Sequence, residues 1–312
     1  MKLRPIVEQY LQYKGSLGMQ GKTMARQLRA FSKAMGDVLV EEVSEEAVSA
    51  FIRGGGPVTS TLHTKLSVLR GFYGYLLSRG HLAHSPLPTQ IPREPEPLIP
   101  YIYSQAQLRR VLQATQTQRH WCKLEAHCLR ALLLLLYGAG LRISEALRLT
   151  LGDLDLPECL LTIRETKFYK TRLVPFGPDL SQALTAYLAT RGEHQHPAPP
   201  EAFLLVTRHS LPVSVQLAED SFKRLCREVG VRRTDGSRFA PRLHDLRHSF
   251  AVHRLTACYR EGGDVERLLP QLATYLGHVD IASTQRYLTL TPELLGQASR
   301  RFEQYAALGG LL

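Results

Sequence analysis

Six prolines fall within seventeen residues in "SPLPTQIPREPEPLIPY", residues 85–101. Proline lacks the N–H that a helix interior needs and clashes with the preceding turn. The stretch therefore reads as extended, and it divides the 312-residue chain into two folding units. The expected boundaries are a helical domain over 1–90, a linker over 91–101 and a second domain over 102–312.

Before the linker, apolar residues recur at helical spacing. Ile6, Tyr10 and Leu11 mark a first helix that ends near Gly15. Met24, Leu28, Phe31 and Met35 mark a second. "EEVSEEAVSAFIRGGG" opens on carboxylates that suit a helix N-terminus and stops at three glycines. Leu62, Leu66, Leu69, Phe72, Tyr73 and Leu76 mark a fourth, so 1–90 reads as a small bundle.

Beyond the linker, "SQAQLRRVLQATQTQ" reads as a helix capped by Ser104, and "EAHCLRALLLLLYGAG" as a buried helix ending at Gly138 or Gly140. "RISEALRLTLGDL" is expected to form another helix. The β signal lies in residues 158–177, where "LLTIRE" alternates, a turn holds Lys167 to Lys170, and "TRLVPF" returns. From 178 onward helices resume around a Pro/His-rich loop near 192–200. The fold class is mainly α (α+β), with one small antiparallel β element.

The formal net charge is +11. Basic residues recur along helices, in "GKTMARQLR", "SFKRLCREVGVRR" and "ASRRF", and do not gather in one tail. That suits a folded protein that binds a polyanion. The longest apolar run, "ALLLLLYGAGL", is too short to span a bilayer, which takes roughly 20 residues. The N-terminus lacks the apolar core of a signal peptide. The five cysteines are scattered without a CxxC, as free thiols would be. A soluble intracellular protein is expected.

"PRLHDLRHSF", residues 241–250, sets His244, Asp245, Arg247 and His248 among Leu243, Leu246 and Phe250. Residues 244 and 247 share one helix face, so an imidazole and a guanidinium could reach the same phosphate. His248 lies on that side too and reads as packing or support. Elsewhere stand Arg142 in "GLRISEALRL", Lys167 in the hairpin, His278 in "LGH" and Tyr287 in "STQRYLTL". Singly, each has an ordinary structural explanation: a cap, a solvated lysine, a core histidine. Together they supply what phosphoryl transfer to a protein hydroxyl needs: a nucleophile, cations on the non-bridging oxygens and a proton donor. Arginine suits the task because its planar fork binds two oxygens at once.

This set, in this order over 130–290, resembles the tyrosine recombinase (phage integrase) family. The matching residues are Arg142 with Glu145 in "GLRISEAL", Lys167 in "TKFYKTRLVPFG", His244 and Arg247 in "LHDLRHSFA", His278 in "LGH" and Tyr287 in "TQRYL". Family hairpins often carry glycine around the lysine, whereas Thr166, Phe168 and Tyr169 surround Lys167 here, and Lys170 is the other candidate. The resemblance implies a DNA breaking-rejoining enzyme fold at 102–312 with a C-terminal tail helix, and a SAM-like core-binding domain at 1–90. It implies site-specific recombination: Tyr287 attacks a phosphodiester of double-stranded DNA and forms a 3′-phosphotyrosine. Arg142 and Arg247 stabilise the transition state, Lys167 protonates the leaving 5′-oxygen, His244 assists proton transfer, His278 binds the phosphate and Glu145 orients the arginines. It further implies no metal or other cofactor, a homotetramer on DNA passing through a Holliday junction, and a place in the bacterial cytoplasm. A partner recombinase or accessory proteins stay open, as does integration or excision of a mobile element against resolution of chromosome dimers. Lys22, Arg26, Lys65 and Arg70 are candidate DNA-facing residues, although a solvated helix face explains them equally. For the tail, Leu294, Leu295, Ala298, Phe302, Tyr305 and Ala306 form an apolar stripe.

Three other readings compete. A type IB topoisomerase shares the chemistry, and a catalytically silent DNA-binding protein would lack the tyrosine or an arginine. A zinc site would draw on His120, Cys122, His127 and Cys128, or on His194 and His196, but neither group has the paired spacing of common zinc modules.

Overall fold

The computed structural model describes residues 1–19, 21–56, 60–93, 98–117, 124–164, 171–237, 239–278, 280, 282–289, 295, 296, 299, 300 and 303. The chain divides into two compact units, Met1–Leu98 and Ile99–Leu312.

Among the described residues the first unit holds four α-helices: α1 (Leu3–Ser16), α2 (Lys22–Met35), α3 (Glu45–Arg53) and α4 (Ser60–Ser78). Their core joins Leu3, Ile6 and Tyr10 to Leu28 and Phe31, and these to Phe72, Tyr73 and Leu76. Ser44 caps α3 by accepting from the Ala47 amide at 3.2 Å, which satisfies one of the donors a helix start leaves unpaired. Leu82 and Leu87 pack on the same core, so the start of the proline-rich stretch stays with the bundle.

The second unit begins with α5 (Gln105–Ala114), capped by Ser104 in a reciprocal box with Gln107. Next come α6 (Ala126–Gly138), α7 (Ile143–Ala146), β1 (Leu154–Asp155), β2 (Leu160–Ile163) and β3 (Arg172–Pro175). They are followed by α8 (Pro178–Glu193), α9 (Val215–Glu228), α10 (His244–Arg260), α11 (Val265–Leu276) and α12 (Ala282–Gln285). Helix α6 buries Leu129, Leu132, Leu133, Leu135 and Leu136. A helix apolar on so many sides belongs in the interior, and α8 and α10 pack against it. The strands form one antiparallel sheet in the order β1-β2-β3. Ile163 pairs with Arg172 and Leu161 with Val174.

Two expectations change. "RISEALRLTLGDL" is helical only over α7, and a short 3-10 turn covers Leu151–Asp153. Between them the backbone pairs with a distant segment: Leu204 N–H donates to the Leu149 carbonyl at 2.8 Å and Leu151 N–H to Ala202 at 2.9 Å. Burial of Leu147 and Leu149 and that pairing override helix propensity. The hairpin also gains a third strand, β1, too short at two residues to leave a periodic signal. Lys167, Lys170 and most of the tail stripe (Leu294, Ala298, Phe302, Tyr305, Ala306) lie outside the described residues. Among the described residues no helix is long and apolar enough to cross a membrane.

Candidate active site

Glu145 is the organising group. It sits at the third position of α7, and its Oε2 accepts from the Arg142 backbone N–H at 2.9 Å, which closes the helix start. Its Oε1 accepts from Arg142 Nη1 at 2.7 Å. Arg172, on β3, holds both oxygens in a fork, at 3.0 and 2.9 Å. Arg247 Nη1, in the first turn of α10, stands 3.8 Å from Oε2. Burial alone would push the Glu145 carboxyl up, but the bonds from Arg172 and Arg142 outweigh it and hold the group at about 2.

The same three arginines meet one helix end. An α-helix leaves its last carbonyls without partners and carries partial negative charge there. At the end of α11, Arg172 Nε donates to the Tyr275 carbonyl at 3.1 Å. Arg247 Nη2 donates to Leu276 at 2.6 Å and Arg142 Nη2 to Gly277 at 2.8 Å. Gly277 ends the helix at φ +66, and a Cβ there would lie 2.9 Å from Arg172 Nη1. Arg247 also donates through Nη1 to the Gly140 carbonyl at 2.7 Å. Gly140 has φ +60, and a Cβ on it would meet the Phe250 ring at 2.7 Å.

Arg247 is almost fully buried, and this desolvation, with Arg142 nearby, pulls its pKa to about 10. Arg142 is the more open, with its side chain 33% exposed. It lines a cleft of about 1160 Å³ with Arg148, Arg164, Arg172 and His278. Glu145, Asp153 and Glu201 also line it, and the first two pair with several of these arginines, so the cleft carries a modest positive balance, the sign that attracts an anionic chain.

Around this cluster stand the other residues expected from sequence. His244 opens α10, its ring perpendicular to His248 with centroids 4.8 Å apart. Desolvation by the surrounding chain, then Arg247 and Arg242, lower its pKa. His278 shares its Nδ1 with the Thr284 hydroxyl at 2.7 Å. Burial and the neighbouring arginines bring its pKa to about 4. Tyr287 follows α12 with its ring buried among residues of α10 and α11, including Phe250 and Leu276. Burial raises its pKa, opposed by the adjacent Arg247. Its Oη lies 3.2 Å from His248 Nδ1. Arg142, Glu145, His244, Arg247, His278 and Tyr287 are thus gathered at one place.

Two residues have a different standing from the one expected. Arg172 lies outside the motif residues, yet it holds both oxygens of Glu145. Its signal lay in the strand phase: Arg172, Val174 and Phe176 point inward while Leu173 is exposed, and an inward arginine needs a buried partner. His248, expected to pack or support, contacts the tyrosine oxygen itself; burial, then His244, lower its pKa to about 3, so the ring is neutral. Of the DNA-facing candidates, Lys22, Arg26 and Arg70 are exposed. Lys65 instead donates to the Phe51 carbonyl at 2.6 Å.

Known proteins are similar to this chain in sequence and fold. The profile of the phage integrase family matches residues 103–293. A putative integrase/recombinase of Sinorhizobium fredii is 34% identical over 305 residues, covering 96% of this chain and 97% of that one. Tyrosine recombinase XerC of Azotobacter vinelandii is 34% identical over 75% of this chain and 71% of its own. Among solved structures, the Tn1549 transposon integrase in complex with a circular intermediate DNA superposes with a TM-score of 0.71. It has 18% sequence identity, with 97% of this chain and 99% of that one covered. The chain belongs to the phage integrase family, the tyrosine recombinases, enzymes of site-specific DNA recombination.

Proposed function

We propose that this enzyme cuts and rejoins DNA through a covalent 3′-phosphotyrosine on Tyr287, with Arg142 and Arg247 gripping the scissile phosphate. The observation that carries the reading is the tyrosine oxygen beside Arg247 and 3.2 Å from a neutral imidazole, at the edge of a three-arginine cluster. Tyr287 Oη forms the new P–O bond as its proton passes to His248. The P–O5′ bond breaks, and Lys167 supplies the proton that the 5′-oxygen needs. His244, opposite His248, takes part in the same proton traffic. His278 donates Nε2–H to a non-bridging oxygen, a tautomer that the Thr284 hydroxyl favours by donating to Nδ1. Both arginines supply fixed positive charge where the pentacoordinate phosphorus gains negative charge.

The resting site keeps the nucleophile protonated. An imidazole near 3 is a poor acceptor for a phenol whose pKa is raised. Burial is the larger cause of the low His248 value; a bound phosphodiester offsets the arginine charges that add to it and so makes His248 a better proton acceptor when DNA arrives.

The cleaved bond is stored in the phosphotyrosine, so rejoining needs no external energy source. Strand exchange between two duplexes passes through a Holliday junction in a homotetramer. The near full-length likeness to a putative integrase/recombinase supports integration or excision of a mobile element. The four-helix unit supplies DNA contacts, with Lys22, Arg26 and Arg70 as exposed cations.

The test is Tyr287→Phe on a nicked substrate that traps the covalent complex. The variant binds DNA as the wild type does and forms no adduct. A 3′-linked adduct formed by the Phe variant assigns the nucleophile elsewhere.

A further inference from the structure

At the end of α6 remote from Arg142, two segments some seventy positions apart in sequence meet. Glu125 precedes α6, His194 and His196 follow α8, and one ligand atom from each lies within 4.8 Å of the others. Among the described residues this is the one group of three such side chains. His127 adjoins it, its ring edge-on to His194 at 5.0 Å between centroids.

The distances from Glu125 approach those of a metal's coordination shell. Imidazole nitrogen and carboxylate oxygen bind zinc at about 2.0–2.1 Å, and a tetrahedron of that size has edges of about 3.4 Å. Glu125 Oε1 stands 3.2 Å from His194 Nδ1. Glu125 Oε2 stands 3.7 Å from both His196 Nε2 and His127 Nε2.

Three further features fit that use. Glu125 occupies the N-cap of α6, yet its side chain makes no capping bond. Its Oε2 is buried with no hydrogen-bond partner, and a carboxylate oxygen in that state is costly unless a cation compensates. His196 is nearly buried, and its Nδ1 meets the Ser210 hydroxyl at 2.8 Å. That bond fixes the ring and leaves Nε2 for the cluster, as the outer partners of metal-bound histidines do. Arg191, one turn earlier on α8, directs Nη2 to the Phe203 carbonyl at 3.1 Å.

We infer that Glu125, His194 and His196 hold a structural zinc ion, with the adjoining His127 turning in as the fourth ligand, and that the ion ties the C-terminal end of α8 to the N-terminal end of α6. Four protein ligands leave no open position, so the ion is a staple with no part in phosphoryl transfer. Helix α6 is about 20 Å long and Arg142 follows its far end, so the site steadies the helix that leads into Arg142.

The experiment uses tag-free full-length protein, stripped with chelator, desalted and titrated with zinc chloride. Calorimetry and elemental analysis give one zinc per chain, and saturation raises the melting temperature by about 5 °C or more. Cobalt in place of zinc gives the visible bands of a four-coordinate site. His194→Ala, at an exposed ring, and Glu125→Gln melt close to the stripped wild type and lose both uptake and stabilisation. Ser210→Ala, which removes no ligand, weakens affinity about tenfold or more. Wild type without stoichiometric zinc or without a melting shift overturns the inference, as does equal zinc affinity in His194→Ala and Glu125→Gln. Either result would leave the cluster as a carboxylate paired with histidines.

Discussion

Replacing Glu145 with Gln removes one negative charge from among three guanidiniums and keeps the side chain's size. The folded carboxyl ionises at about 2, against 4.5 for an ordinary glutamate. That difference is worth about 3 kcal/mol of stability at neutral pH. It agrees with the cost of about 3–5 kcal/mol for breaking a buried ion pair from one side. For a unit of this size the variant should melt about 6–12 °C lower at pH 7.5. The pH dependence is the sharper signature. Because the folded value is depressed, the contribution is complete above 4.5 and drains away as pH falls toward 2. By pH 4 about 1 kcal/mol of it is gone, so wild type and Glu145→Gln should draw together on acidification. The assay is a series of calorimetric melts from pH 7.5 to pH 4, with DNA cleavage by the variant measured beside it. A variant melting within a degree of wild type, or a gap that stays constant with pH, would show that Glu145 does not hold the arginines.

His248→Phe keeps the ring volume beside Tyr287 and removes the acceptor; single-turnover cleavage should slow by about 10²–10⁴-fold while DNA affinity stays put, and unchanged cleavage would move the proton elsewhere. Gly140→Ala forces a side chain into a φ of +60 and against Phe250 and Leu276, so a thermal melt should show a loss of about 3 kcal/mol; a wild-type melt contradicts the packing described. Lys167→Ala should cleave ordinary DNA slowly and recover on a 5′-bridging phosphorothiolate, whose sulfur leaves without a proton; rescue of Lys170→Ala alone would shift that role three positions along the hairpin.

How far the sequence could be read depended on how local each feature was. Arg142 with Glu145 and His244 with Arg247 are three apart, so one helical turn unites each pair and short spacing reveals it. The buried character of α6 was legible for the same reason, in its run of leucines. Arg172 meets Glu145 across 27 positions and His248 meets Tyr287 across 39. No periodicity links such pairs; only the folded sheet and the α10–α11 packing bring them together. The phase shared by Arg172, Val174 and Phe176 marked the arginine as inward but could not say toward what. "RISEALRLTLGDL" failed for a related reason, since its partner, the segment at Ala202–Leu204, lies some fifty residues away. Glu125 and His196 likewise belong to fragments that have no spacing in common until α6 and α8 pack.

The end of α11 gives this enzyme a single point of mechanical contact. Arginines from the start of α7, from β3 and from α10 each hold one of three successive carbonyls there. The chain leaves that point through Gly277 and reaches Tyr287 ten residues later. A displacement of the departing segment would tilt the carbonyls that orient the guanidiniums, which would link the position of Tyr287 to the hold on phosphate. Thermodynamic linkage works in both directions. By the same linkage, a seated phosphate would bias where the tyrosine rests, and a shift of the tyrosine segment would change the hold on phosphate.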